Sequence, residues 1–378
     1  MSILSLRQNE KRKRLLVFLS VFAVVALVTL GIFASNGWLP HTDALTGKKT
    51  GWFGRELPKH ATSAWNPFPP PSPTPQLSKE IIWAGSRMVA IEDANATAAP
   101  PADIAVWRPS NGNWIVMGQT GSQATTFSFG MSGDIPVPGD FDGDGKTDFS
   151  VFRPSDHIWY IQPSGGGNYY GLNWGVSTDL PAEADYDGDG RTDAAIMRRQ
   201  PSTGTSDWWV LKSSDNSYYS WSWGTDTDIP GSADFDGDGR ADIAVYRPGN
   251  QYYYSINSSN GQAQMIFLGQ TVSCSIPREC VVPADYDGDG KADFAVYNSP
   301  TASWTIRFSV TGQVTTTQWG SSGDVPVHND YDGDGKCDLA TWRSLNALWT
   351  IKKSSNGQTR TETFGQAEDI PVPAYYRR

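Results

Sequence analysis

From residue 101 onward, apolar residues come in short alternating runs, each four to six residues long and set apart by polar turns. One such run is DFSVFRP (148–154), with counterparts DAAIMRR, DIAVYRP, DFAVYNS and DLATWRS further along the chain. An aromatic run follows each of them: IWYIQ (158–162), DWWVL, YYYSI, SWTIR and LWTIK. A third run ends in Trp174-Gly175, Trp223-Gly224, Leu268-Gly269, Trp319-Gly320 or Phe364-Gly365. A short IPVP-like segment then leads into the next unit. Alternation with period two, enriched in β-branched and aromatic residues and bounded by turn residues, predicts strands. Four short strands recurring every 45 to 51 residues predict the blades of a β-propeller.

The two ends of the array are complementary. DIAVWRPSNGNWIV (103–116) with FSFG (127–130) is a unit without its Asp-rich loop, and DIPVPAYYRR (369–378) is a lead-in segment without a unit. The last strand can therefore complete the first blade and close the ring, which removes exposed sheet edges. The fold class expected is all-β, a propeller of six four-stranded blades over 101–378, with seven as the alternative if 81–100 joins in. IIWAGSRMVAIED (81–93) reads as a lead-in hairpin or partial blade. The small residues Ala105, Ser150, Ala195, Ala244, Ala295 and Ala340 recur at one register position, which suggests crowding near the central axis. Trp114, Trp159, Trp304 and Trp349 recur at another and read as packing between blades.

The N-terminal residues follow a different pattern. Residues 15–34 hold 20 uncharged, mostly apolar residues, preceded by Arg7 and by Lys11, Arg12, Lys13 and Arg14. That length suits a membrane-spanning helix, and the basic flank places 1–14 in the cytoplasm and the rest of the chain outside. A cleaved signal peptide, leaving a secreted protein, is the alternative. Residues 35–80 contain WNPFPPPSPTPQ (65–76), a Pro-rich spacer reaching about 37 Å at ~3.1 Å per residue. Three cysteines fit an extracytoplasmic address. Cys274 and Cys280 bracket the insert CSIPREC and form either a disulfide or two free thiols, while Cys337 fills a small-residue slot.

Charge adds the chemistry. The formal net charge is −10, a balance that argues against nucleic acid as a partner, since such binding needs basic patches against phosphate. Twenty of the 40 acidic residues sit in five nine-residue loops: DFDGDGKTD, DYDGDGRTD, DFDGDGRAD, DYDGDGKAD and DYDGDGKCD. In the first loop Asp140, Asp142, Asp144 and Asp148 occupy positions 1, 3, 5 and 9, and Lys146 offers its carbonyl at position 7. The second loop has Asp185, Asp187, Asp189, Arg191 and Asp193, and the third has Asp234, Asp236, Asp238, Arg240 and Asp242. The fourth has Asp285, Asp287, Asp289, Lys291 and Asp293, and the fifth has Asp330, Asp332, Asp334, Lys336 and Asp338. Hard oxygen donors in this order match the first nine positions of a helix–loop–helix calcium loop, with a glycine at position 6 for the sharp turn. Position 12, where a bidentate Glu would stand, is Val151, Ile196, Val245, Val296 or Thr341, so position 9 is expected to ligate directly. About five Ca²⁺ are expected as cofactors. Magnesium prefers strict octahedral geometry and fits less well. The portion after residue 34 carries −14, and five such ions would bring it to −4.

These loops, the DxAVxRP-like strands behind them and the aromatic-Gly ends resemble the bacterial FG-GAP/VCBS-type repeat, related to the calcium-binding blades of integrin alpha-subunit propellers. The resemblance covers about 101–376 and implies a propeller with one calcium per loop and a role in extracellular recognition or adhesion. No Gly-Ala-Pro follows as the family name implies, and no separate recognition domain is inserted. The chain has no HExxH, GxSxG or phosphate-binding glycine loop, so a non-catalytic role is expected. His157 and His328 read as surface or turn residues. The partner is expected to be a protein or glycan surface, in adhesion or envelope organisation. The alternative is a lectin-like propeller using Tyr169, Tyr170, Tyr218, Tyr219, Tyr252 and Tyr253, and a polysaccharide-active enzyme ranks below both.

Overall fold

The structure, a computed structural model, describes residues 41–42, 49–50, 80–84, 87–92, 100–118, 123–273 and 277–376. The chain divides into two compact units, Met1–Gln76 and Leu77–Arg378. In the first unit the strand His41–Thr42 pairs antiparallel with Lys49–Thr50. The cytoplasmic segment 1–14, the membrane segment 15–34 and the Pro-rich stretch 65–76 lie outside the described residues. Among the described residues no helix is long and apolar enough to cross a membrane.

The second unit is a six-bladed β-propeller. Blade 1 has the strand order Ile370–Pro371, Ala105–Arg108, Asn113–Val116, Thr125–Ser128. Its innermost strand is thus the C-terminal one, which closes the ring. Blade 2 runs Ile135–Pro136, Phe149–Arg153, Ile158–Gln162, Tyr170–Asn173, and blades 3, 4 and 6 repeat that order. Blade 5 has a three-stranded sheet, Phe294–Asn298, Ser303–Arg307, Val314–Gln318, and a single bridge from Val281 to Val296 stands in for its innermost strand. The hairpin Glu80–Ala84 with Arg87–Glu92 joins no blade, so it adds no seventh.

Burial grades outward across each blade, and the sequence pattern follows it. The strand next to the inner edge is buried on both faces, as in Ile243–Arg247, because blades cover it from both sides. The next strand alternates, as in Leu348–Lys352, and the outermost, such as Thr359–Thr363, is largely exposed. The innermost strand is two residues long and carries a proline in five blades (Pro136, Pro181, Pro230, Pro326, Pro371). Proline has no N–H to offer, so it blunts this inner edge.

Six apolar clusters hold the ring together, and each joins consecutive blades. Ala195 of blade 3, for example, packs in one cluster with Ala241, Ile243 and Val245 of blade 4. The recurring small residues therefore sit one strand out from the inner edge, at the seam between blades. They are fully buried there, crowded between neighbouring blades beside the two-residue inner strands. Trp114, Trp159, Trp304 and Trp349 are fully buried, as is Trp208 at the same position of blade 3. Each donates its indole N–H to the carbonyl at the end of the outermost strand: Phe129 at 2.9 Å, Trp174 at 3.0 Å, Trp223 at 3.1 Å, Trp319 at 3.1 Å and Phe364 at 3.0 Å. Tyr253 takes this place in blade 4, and its hydroxyl donates to Ala295 of blade 5 at 2.9 Å.

Five blades also carry a buried ion pair the sequence reading did not single out. Arg108, Arg153, Arg198, Arg247 and Arg343, at the end of the second strand from the inner edge, clamp Asp369, Asp134, Asp179, Asp228 and Asp324 with two hydrogen bonds each. In blade 5 Asn298 and Glu279 occupy these two places.

Several single expectations are settled by position. His157 is in a turn, with φ +64°. His328 is not a surface residue. It is buried beside the rings of Tyr286 and Trp304, because it lies on the inner lead-in segment that the blades cover. Cys337 is a buried free thiol, packed with Tyr286 and Ala295. Cys280 is disulfide-bonded, and its expected partner Cys274 lies outside the described residues.

Candidate metal centres

Each Asp-rich loop connects the innermost strand of its blade to the next strand outward, which brings five loops into one belt around the ring. Within a loop the two glycines act alike. In the first loop Gly143 and Gly145 have φ of +78° and +83°, the left-handed region that a side chain disfavours. These two reversals fold the loop back over its own first aspartate.

That aspartate organises the loop from inside. Asp140 accepts N–H groups from Gly143 at 2.7 Å and Gly145 at 2.8 Å, one on each carboxylate oxygen. Asp185, Asp234, Asp285 and Asp330 are bonded to their own loop glycines in the same way. The position 9 aspartate ties loop to blade. Asp148 accepts from Phe141 N–H at 2.8 Å and from Ser164 N–H at 2.7 Å, and Asp193, Asp242, Asp293 and Asp338 repeat this pair of bonds.

Carboxylate oxygens converge in every loop. Asp140, Asp142 and Asp148 each present one oxygen, all within 4.8 Å of one another, and so do Asp185, Asp187 and Asp193. The same holds for Asp234, Asp236 and Asp242 and for Asp330, Asp332 and Asp338. In the fourth loop the converging set is Asp285, Asp287 and Asp289. Position 5 joins the converging set in one loop, and in all five loops it accepts a serine hydroxyl at 2.8 to 2.9 Å: Asp144, Asp189, Asp238, Asp289 and Asp334. At Asp236, Asp287 and Asp332 the Oδ1 atom is buried without a hydrogen-bond partner. A buried carboxylate oxygen in that state is costly unless something else satisfies it.

Electrostatics point the same way. Burial pushes the Asp140 and Asp148 carboxyls up to about 7, and neighbouring carboxylates add to the effect. The same cause raises Asp185, Asp234, Asp285 and Asp330 to about 6 and Asp193, Asp242, Asp293 and Asp338 to about 7. A cluster of hard oxygens that resists holding its negative charge alone, with buried oxygens lacking partners, fits a hard divalent cation.

Two sets of residues escaped the sequence reading. Ser164, Ser213, Ser258, Ser309 and Ser354, in the turn after the Trp-bearing strand, clamp positions 5 and 9 through Oγ and N–H. Their signal was a serine at one register position in every blade with a loop. The second set is the basic side chains at position 7, read only as carbonyl donors. Those of Arg191, Arg240, Lys291 and Lys336 lie over the preceding loop. Lys146 has no loop before it.

The loops also bond to one another through backbone. Position 8 of each donates its N–H to the position 1 carbonyl of the loop before it: Thr192 to Asp140 at 2.7 Å, Ala241 to Asp185 at 2.6 Å, Ala292 to Asp234 at 2.7 Å and Cys337 to Asp285 at 2.7 Å. Ala102 to Asp330 at 2.7 Å and Thr147 to Tyr375 at 2.9 Å complete the circle. Blade 1 therefore holds a split sixth loop position. Asp103 stands where position 9 would be and Tyr375 where position 1 would be, so the first carboxylate is missing there.

The six tyrosines suggested for sugar contact separate by exposure. Tyr169 and Tyr218 are each 61% exposed and Tyr170 is exposed at 37%, all on the outer side of blades 2 and 3. Tyr219 and Tyr252 are half-buried, and Tyr253 is fully buried, which removes it from any surface role.

A family model for the FG-GAP-like repeat matches residues 234–296, which span the third loop, blade 4 and the fourth loop. No curated protein matches the chain in sequence. Among solved structures, a lectin from Agrocybe aegerita that recognises non-reducing terminal N-acetylglucosamine aligns at 14% identity and a TM-score of 0.48, over 77% of this chain and 98% of that one. Apo AztD from Citrobacter koseri aligns at 8% identity and a TM-score of 0.40, over 76% and 92%. Virginiamycin B lyase from Staphylococcus aureus aligns at 10% identity and 0.42, over 71% and 86%. At these scores the likenesses carry no functional argument.

Proposed function

We propose that this six-bladed propeller, of which residues 234–296 match the FG-GAP-like repeat, is a calcium-binding scaffold for recognition or adhesion, tethered outside a cell membrane and without catalysis of its own. The observation that carries this reading is the convergence of three carboxylate oxygens within 4.8 Å in each of five loops. In this reading the Asp residues at positions 1, 3 and 9, with Asp289 in the fourth loop, hold calcium through oxygen, and the carbonyl at position 7 adds to them. The ion supplies charge neutralisation and ties the loop's turns together. Residues 15–34 serve as the anchor, with 1–14 in the cytoplasm and 35–80 as the spacer. Six clusters between blades make the ring a rigid platform on which a partner docks.

The test is calcium titration of the full chain by calorimetry, with thermal melts in calcium and in chelator. About five bound ions and a marked fall of the melting temperature in chelator support the reading. Affinity sets the size of that fall: calcium at ~100-fold above the dissociation constant stabilises a site by about 2.7 kcal/mol. Absence of binding sinks the reading.

A lectin-like role is the second reading, favoured by Tyr169, just before the outer strand of blade 2, and by Tyr218 and Trp221 on the outer strand of blade 3, which expose 61%, 61% and 49% of their surface. Aromatic faces of this kind stack on sugar rings. Glycan-array binding that disappears in Tyr218→Ala would select it over protein recognition.

A further inference from the structure

We propose that the basic side chain at position 7 of the second to fifth loops (Arg191, Arg240, Lys291 and Lys336) is a positioning residue of the metal site in the preceding loop, so that Lys336 helps build the Asp285 site as well as its own. The inference rests on the calcium reading above and extends it from five separate sites to a directional chain of linked ones.

The geometry is clearest for Lys336. Its Nζ donates to the backbone carbonyl of Asp287, position 3 of the fourth loop, at 2.8 Å. Its stem lies along Gly288, where an added Cβ would sit 2.8 Å from Cε and 3.1 Å from Cγ. Directly beside it in sequence, Cys337 donates its N–H to the Asp285 carbonyl at 2.7 Å. Two adjacent residues of one loop therefore grip positions 1, 3 and 4 of the loop before. The gripped peptide carries Asp287, whose Oδ1 is buried without a hydrogen-bond partner and belongs to the converging cluster's residue set.

The arrangement repeats. Lys291 Nζ donates to the Asp236 carbonyl at 2.9 Å, and Asp236 Oδ1 is again buried without a partner. Arg240 covers Gly188 and Arg191 covers Gly143, each with Cγ 3.0 Å and Nε 3.1 Å from where a Cβ would stand. At Gly143, Gly188, Gly237 and Gly288 a side chain would also press on the neighbour's basic side chain, which favours glycine there beyond its backbone angle. The cation sits on the backbone side of the acidic loop. There it offsets negative charge and fixes the peptide while leaving the carboxylate oxygens free for a metal. Because the carbonyl of Lys336 is expected in its own site, one residue serves two loops, and a shift in either is felt by the other.

The test uses the full chain with Lys336→Met, which keeps the stem and removes the donor, and Lys336→Arg, which restores it. Calcium calorimetry is run alone and in Asp285→Asn and Asp330→Asn backgrounds. Hydrogen–deuterium exchange is followed in residues 285–293 and 330–338. We expect Lys336→Met to weaken one site on the order of three- to tenfold, the effect of one hydrogen bond. The loss should persist with Asp330→Asn, vanish with Asp285→Asn and be reversed by Lys336→Arg. Exchange should quicken in 285–293 and hold steady in 330–338. A loss that vanishes with Asp330→Asn instead, or unchanged exchange in 285–293, overturns the proposal. If the wild-type chain binds no calcium, the calcium reading falls, and the exchange comparison alone decides whether Lys336 positions the preceding loop.

Discussion

Tyr376 donates its backbone N–H to the carboxylate of Asp103, 3.0 Å away and 273 residues earlier in the chain. This bond occupies the place that the Phe141 to Asp148 bond holds in blade 2, so the two ends of the propeller together rebuild one loop foundation. Asp103→Ala would leave a buried N–H with one partner fewer. We expect a loss of about 1–3 kcal/mol in urea unfolding. Deleting residues 370–378, which removes the innermost strand of blade 1, should prevent cooperative folding altogether, and a sharp unfolding transition in that truncated chain would contradict the closure.

The repeated Arg–Asp clamps should matter far more than ordinary surface pairs. Asp324 has a side chain only 2% exposed, and Arg343 meets it at 2.7 Å. Arg343→Met leaves that buried carboxylate with only the Ser321 N–H and the Thr341 hydroxyl, both on one oxygen, and is expected to cost about 1.5–3 kcal/mol. The pair Arg360–Glu362, at 3.1 Å and with both side chains about one-third exposed, should contribute only ~0–1 kcal/mol. Thermal melts of the two arginine variants side by side make the comparison, and equal effects would refute it.

Stability in chelator should fall as pH rises. The position 1 and 9 aspartates are raised to about 6 and about 7 in the folded ring, as Asp285 and Asp293 illustrate, above the ordinary aspartate value near ~3.9. Between those limits the folded ring binds more protons than the unfolded chain. Its extra stability is therefore complete below about pH 4 and is lost as pH climbs through about 6–7. In excess calcium the trend should reverse, because the ion competes with protons for the same oxygens. Urea midpoints at pH 5 and pH 8, with and without calcium, test both signs.

The buried indoles offer a separate test of the blade seams. Trp159→Phe removes the N–H that reaches the Trp174 carbonyl at 3.0 Å and should cost about 1–3 kcal/mol. Trp159→Ala also empties a fully buried site and should cost about 3–5 kcal/mol. A Phe variant as damaging as the Ala variant would mean that the hydrogen bond, rather than the packed ring, dominates.

Sequence alone determined the repeat, the strand alternation, the complementary ends and the four aspartates of each loop. All are local patterns, with their period imposed by backbone geometry. Six blades, closure by Ile370–Pro371 and the buried Trp row follow the register visible in the residues. Contacts between units are a different matter. Which carboxylates converge depends on how each loop folds over its first aspartate: Asp289 joins the set in the fourth loop, whereas the first loop uses Asp148. His328 and Tyr253 look like surface residues in sequence and are buried, because a neighbouring blade covers them. The reach of Lys336 onto Asp287 spans 49 residues and exists only once the ring sets successive loops side by side. Local chemistry wrote each site, and packing between blades decided which residues each site shares with the next.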